Sequence, residues 1–223
     1  MTTSSAASPR LSLETILDAA TSMIRSEGFD ALSMRKLAQR CGVGAMTLYG
    51  YVRTKEELLT LIGERFFLEV AEPDAGLNWQ DQLRHVFRMT HRIFLQHPEL
   101  ADIAARQHFN ATAAYRGAET VFAAMERAGL SPELAMSAFV ALTSFTAGIA
   151  QRQANADARA ANERRLQQLR ELPSEEFKHV RRLAQAMVSG VSDQHFEDGL
   201  ALFISGIEQQ GAAAAAAAKK ARR

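Results

Sequence analysis

Apolar residues return every three or four positions through most of this chain, and that periodicity restricts it to helices. Leu13, Ile16, Leu17, Ala20, Met23 and Ile24 form the first such stripe, which a 3.6-residue repeat gathers on one face. Alternating β-branched runs are scarce, and only 13 glycines and 5 prolines interrupt 223 residues. An apolar share of 47% supplies a real core, so the chain is not of the disordered class. Its length suits a small N-terminal module and a larger domain, at roughly 100–200 residues per domain.

Start and stop signals divide the pattern. Residues 1–10 are small and polar and read as a flexible arm. Ser12 offers an N-cap to a first helix that Gly28 stops. Ser33 caps a short second helix to about Arg40, Cys41-Gly42-Val43 makes a tight turn, and a third helix occupies residues 44–50. Thr54 and Glu57 match the capping box, with Glu57 reaching back to the Thr54 N–H, for a fourth helix running to about Ala71. The break at 72–76 separates an expected domain 11–71 from one at 77–210.

Helices follow near 79–95, 98–109 and 111–128. Ser131-Pro132-Glu133 opens another to about Asn155, apolar nearly all round between Leu134 and Ile149 and therefore buried on more than one side. Residues 151–172 are polar, and a helix, a long exposed helix and a loop all fit them. Two more helices are expected near 174–188 and 194–209, the second with Phe196, Gly199, Leu200, Phe203, Gly206 and Ile207 on one stripe. The alanine-rich, basic residues 211–223 read as a disordered tail, with an extra DNA-contacting arm as the other option.

A formal net charge of +1 announces no partner, so a nucleic-acid reading must rest on where the cations sit. The single cysteine, Cys41, excludes an internal disulfide and fits a reducing compartment. In a turn beside apolar residues it reads as a small buried hydrophobe, with a redox sensor as the sharper alternative. No signal-peptide core and no uninterrupted apolar run near the roughly 18–20 residues of a membrane span are visible, so a cytoplasmic protein without a membrane partner is expected. The 6 histidines form no i, i+4 pair, which gives no metal site. No nucleophile–base pair or glycine-rich phosphate loop indicates catalysis or a cofactor. An all-helical small-molecule carrier or enzyme stands as the alternative class.

One stretch breaks the neutral balance. From Ala31 to Lys55 there is no carboxylate, whereas Arg35, Lys36, Arg40, Arg53 and Lys55 are basic and Thr47, Tyr49, Tyr51 and Thr54 carry hydroxyls. Charge of one sign in a near-neutral chain is the footprint of a phosphate-facing surface. Arg35 and Lys36 open the second helix and Lys55 the fourth, where cations oppose the helix dipole by a few tenths of a kcal/mol each. A bound phosphate would reverse that sign, which makes both helix starts candidate phosphate clamps flanking the third helix.

Residues 11–70 resemble the DNA-binding domain of the TetR (tetracycline-repressor) family of bacterial regulators. The resemblance is carried by Ser33-Met34-Arg35-Lys36-Leu37-Ala38, Cys41-Gly42-Val43, Thr47-Leu48-Tyr49-Gly50-Tyr51-Val52 and Lys55-Glu56-Glu57-Leu58. Phe196-Glu197-Asp198-Gly199-Leu200 is similar, more loosely, to the family's final helix. The resemblance implies an all-α protein of nine to ten helices: a three-helix helix-turn-helix reader and a C-terminal dimerisation and ligand-binding domain. It further implies that Arg35 reaches a base edge or a neighbouring phosphate, and that Gly44, Ala45, Met46 and Thr47 open the recognition helix. Lys36, Tyr49, Tyr51 and Lys55 would serve the DNA backbone. Tyr51 stands where the family most often has histidine, and Gly44 and Gly50 where larger residues are common.

For the C-terminal domain the implied partners are a second copy of the chain and a small-molecule effector. Candidate effector contacts are His85, Met89, Arg106, His108, Phe109, Thr143 and Thr146, which set polar groups within apolar stripes. Ala138, Phe139, Ala141, Phe145, Gly199, Phe203 and Gly206 are candidates for the dimer interface, small residues beside aromatic anchors. The function expected is a homodimeric transcriptional regulator, more plausibly a repressor, on near-palindromic double-stranded operator DNA.

Overall fold

The computed structural model describes residues 11–106, 111–154 and 159–221. Among them it has eleven α-helices, one or two more than expected, and no strand. The reader comprises α1 (Leu13–Glu27), a 3₁₀ turn (Phe29–Ala31), α2 (Met34–Arg40), α3 (Ala45–Tyr49) and α4 (Lys55–Phe67). The second domain comprises α5 (Trp79–Gln96), α6 (Pro98–Arg106), α7 (Thr112–Arg127), α8 (Pro132–Ala154), α9 (Arg159–Glu171), α10 (Lys178–Val188) and α11 (Asp193–Ala221). The expected arm at 1–10 lies outside the described residues.

The caps explain where the reader's helices begin. Ser12 and Thr15 form a reciprocal capping box on α1, and the Ser33 hydroxyl accepts from the Lys36 N–H at 3.3 Å on α2. On α4 the Thr54 hydroxyl accepts from the Glu57 N–H at 3.0 Å. The expected return bond is displaced by one residue: the Glu57 carboxylate accepts from the Arg53 N–H at 2.7 Å. Extended backbone at Thr54 brings that earlier N–H within reach of the longer glutamate side chain.

Four further boundaries differ from expectation. α4 stops at Phe67 rather than Ala71, because the Glu69 and Val70 N–H groups bond three residues back, to Phe66 and Phe67, and a tightened last turn closes a helix. The polar stretch 151–172 resolves into the end of α8 and a separate α9, which pairs with α10. α10 starts at Lys178, four residues later than expected, after turns over 174–177. The tail from 211 to 221 is helical, not disordered: alanine is the strongest helix former, and Lys219 and Lys220 complement the dipole in the last turn.

Two apolar clusters make up the core. One joins α1–α4 to the end of α5, to α6 and to Ala147 and Ala150 near the end of α8. The other joins the first half of α5 to α7, the first half of α8 and α11. α7 begins beside α4, where Glu64 accepts from the Ala113 N–H at 2.9 Å, and ends against α11. There Gly211 lies so close to Ala128 that a Cβ would stand 1.7 Å from the Ala128 carbonyl oxygen. The 16 residues of α7 therefore set the contact with α4 about 24 Å from the contact with Gly211.

α8 qualifies by length and composition as a membrane span, with 23 residues and a best-window mean hydropathy of 1.4. Ser137, Thr143, Ser144 and Thr146 interrupt its apolar residues, which is why no uninterrupted run announced it. α8 packs against α5, α6, α7 and α11, but only 28% of that window is buried within the protomer. Leu134, Met136 and Val140 stay exposed.

Candidate nucleic-acid interface

The helix-turn-helix forms because α2 and α3 share one turn and one core. The Val43 N–H donates to Ala38 at 3.0 Å and the Cys41 N–H to Leu37 at 2.9 Å. Gly42 sits between them at φ 69°, a left-handed position that side chains rarely tolerate. Leu37, Leu48 and Val52 have no accessible surface and join α2 and α3 to the apolar cluster that α1 and α4 share. Everything else on α3 faces solvent: Ala45, Met46, Thr47 and Tyr49 are all exposed.

The cations around α3 divide by their partners. Arg35 is exposed and forms no ion pair among the described residues; Lys36 beside it is also exposed. No acidic residue stands in the first turn of α2. Arg40, by contrast, is held by Glu27 at 3.0 Å and by Ser22 at 3.2 Å, which removes it from the free basic set. Lys55 places its ammonium 4.5 Å from the centroid of the Phe29 ring, a cation–π contact that holds it beside the turn before α2.

The clamp expected at the start of α4 is not an open anion site. Glu56 and Glu57 occupy its first turn and already complement the dipole, while the Arg53 and Glu57 N–H groups have internal acceptors. Lys55 therefore offers a point charge without the helix end behind it. The Tyr51 hydroxyl, expected to face phosphate, donates to the Leu11 carbonyl at 3.0 Å and ties α3 to the start of α1. Burial pushes the Cys41 thiol above its ordinary value, the behaviour of an inert thiol rather than of a redox sensor.

In the second domain the candidate effector contacts are only partly brought together. His85 and Met89 lie one turn apart on α5 and Thr143 and Thr146 on α8, and the two helices pack together. His85 is engaged elsewhere: its Nε2 donates to the Ala71 carbonyl at 2.8 Å and holds the interdomain link. The Thr143 and Thr146 hydroxyls donate to their own helix, to Phe139 and Leu142, each at 2.8 Å. The Arg106 side chain, His108 and Phe109 lie outside the described residues. A polar chain leading from the buried His91 to the surface was missed: His91 stacks on Phe196 at 3.9 Å, its Nε2 donates to Gln153 at 2.7 Å, and Gln153 donates to the exposed Asp193 at 2.9 Å. Only packing of α5, α8 and α11 creates it, so no local signal could have found it.

An open apolar groove of about 650 Å³ runs between α8 and α11. Of the candidate interface residues it brings together Ala138, Phe145, Gly199, Phe203 and Gly206. Phe139 instead packs inward on the Phe122 ring at 4.9 Å, and Ala141 is half-buried outside the groove. Leu134 and Leu202 were missed; Leu202, 76% exposed, stands three residues after Gly199 and four before Gly206, so helical spacing alone could have flagged it.

Comparison with known proteins places this geometry. A model of bacterial regulatory proteins, tetR family, matches residues 16–62, and a model of the tetracyclin repressor-like C-terminal domain matches residues 72–210. Tetracycline repressor protein class D from Escherichia coli is 30% identical over 90% of this chain and 91% of its own length. The transcriptional repressor DrrR1 from Streptomyces coeruleorubidus is 31% identical over 65% of this chain. The chain spans 60% of the matched Saccharopolyspora erythraea regulator and 54% of DrrR1. Apo ActR from Streptomyces coelicolor superposes with a TM-score of 0.77 at 32% identity, covering 92% of this chain and 98% of ActR. ActR has also been solved in complex with actinorhodin, and that structure gives a TM-score of 0.76.

Proposed function

Because the chain belongs to the TetR family of bacterial transcriptional regulators, we propose that it is a cytoplasmic repressor that binds a near-palindromic operator as a homodimer. The observation that carries this reading is the exposed α3, which bears Tyr49 and is preceded in the chain by the exposed Arg35 and Lys36 and followed by Lys55, in a stretch without a carboxylate. Arg35 is the candidate for a guanine edge and the others fix register on phosphates. No residue is assigned a catalytic role.

Two readers must sit on one duplex, with half-sites about 34–36 Å apart in dimers of this motif. The α8–α11 groove supports the second copy as its occupant, since α8 and Leu202 leave an apolar face uncovered. A small molecule in the second domain would act by binding the free conformation better than the DNA-bound one. Three contacts would transmit the difference: Arg25 with Glu99, Glu64 with the start of α7, and the Phe66 ring 4.2 Å from the His97 ring. ActR, solved with a ligand, supports a ligand-responsive reading.

Selection of fragments from random DNA by the purified protein tests the proposal. An inverted repeat bound by a dimer, with affinity falling by orders of magnitude between low and moderate salt, is the expected result. A folded dimer that enriches nothing at any salt would move the reading to a small-molecule carrier.

A further inference from the structure

The recognition helix reads Ala45-Met46-Thr47-Leu48-Tyr49. With Leu48 buried, it offers outward methyl groups, a thioether, the Thr47 hydroxyl and the Tyr49 phenol, with no carboxylate, amide or guanidinium. Met46 is 83% exposed, the most exposed large apolar side chain among the described residues. A lone exposed apolar residue is ordinary on a protein surface, but the position of this one is not. Gly44 and Ala45 precede it, so no larger side chain on that turn holds an approaching surface away, and the exposed Arg35 stands on the adjoining helix.

The geometry points to Met46 as a base-reading residue that contacts the 5-methyl group of a thymine in the major groove, an inference that rests on the DNA-binding reading above. A thioether has no donor and is a weak acceptor, so it cannot pair with the N7 and O6 of guanine, and it satisfies the amino groups of adenine and cytosine poorly. Thymine alone presents an apolar group in that groove. The unbranched, polarisable side chain adapts to such a contact. Each half-site then carries a thymine facing α3, separate from the guanine assigned to Arg35, and apolar contact rather than hydrogen bonding determines that position.

The test uses the full-length protein and its selected operator, titrated at one fixed salt. Each thymine in the half-sites is replaced in turn by deoxyuridine, which keeps every hydrogen-bonding group and removes only the methyl. For the unaltered protein, uridine at one symmetric position lowers affinity about three- to fivefold per half-site, the order expected for one buried methyl. Met46→Ala, which removes no core contact, abolishes that penalty. Uridine penalties that persist undiminished in Met46→Ala, or operator binding by Met46→Ala equal to that of the unaltered protein, overturn the assignment and leave the regulator reading intact. A folded protein that selects no operator overturns both.

Discussion

Arg25 on α1 holds the carboxylate of Glu99, the second residue of α6, through two hydrogen bonds: Nε to Oε2 at 3.0 Å and Nη2 to Oε1 at 2.6 Å. The glutamate side chain has no accessible surface, whereas the arginine is 56% exposed. The bond raises the guanidinium above its ordinary value, and the pair joins two segments 74 residues apart. It therefore fastens the reader to the second domain at a point where a buried charge has one principal partner, with His97 3.7 Å away as a lesser one.

Arg25→Ala leaves that carboxylate buried without its cation. Unfolding in urea should show a loss of about 2 kcal/mol, less than the roughly 3–5 of a fully enclosed pair because water reaches the arginine. Glu99→Leu in the same background should recover part of it, and a double-mutant cycle reads the coupling. Losses that simply add would mean the pair is not what joins the domains.

Tyr51→Phe removes the bond to the Leu11 carbonyl and, by loosening the tie between α3 and the start of α1, should weaken binding to operator and random DNA alike by a few-fold. Lys55→Ala should also weaken both and reduce the log–log salt slope by about one for each phosphate left without its cation. Arg35→Ala should act differently, relaxing preference at one base pair at about 1–3 kcal/mol. Fluorescence anisotropy across a salt series separates the three. A salt slope untouched by Lys55→Ala would remove that residue from the phosphate set.

The two small-residue positions on α11 should separate fold from assembly. A Cβ at Gly199 would stand 2.2 Å from Phe145 Cζ, so Gly199→Ala should destabilise each protomer by about 1–3 kcal/mol whatever the protein concentration. Leu202→Glu touches no protomer core and should instead raise the dimer dissociation constant, as sedimentation would read. Unchanged dissociation for Leu202→Glu would place the second copy elsewhere.

Because burial raises the Cys41 thiol, the folded protein disfavours the thiolate. Its stability contribution is intact below the unfolded thiol's pKa and declines as pH rises through the folded one. Iodoacetamide should accordingly modify the native protein more slowly than the urea-unfolded chain at pH 7, with operator affinity indifferent to mild oxidant. Faster modification of the native protein would restore the sensor reading.

The reader was largely legible because its signals are local. Ser12, Ser33 and Thr54 cap through bonds to the third residue onward, Gly42 marks the turn, and Leu37, Leu48 and Val52 announce one buried face. The carboxylate-free stretch could be read without coordinates. Whether each cation in it is free could not, since Arg40 meets a Glu27 thirteen residues earlier while Arg35 meets nothing among the described residues. The second domain hid more for the same reason: His85 turned to the interdomain link, the His91–Gln153–Asp193 chain and the inward Phe139 each depend on which helix faces come together. Helix propensity and capping are properties of a few neighbouring residues, and the amino-acid order determined them. Partner choice, exposure and the open α8–α11 groove are properties of packing between segments far apart in the chain, and only the tertiary structure decided those.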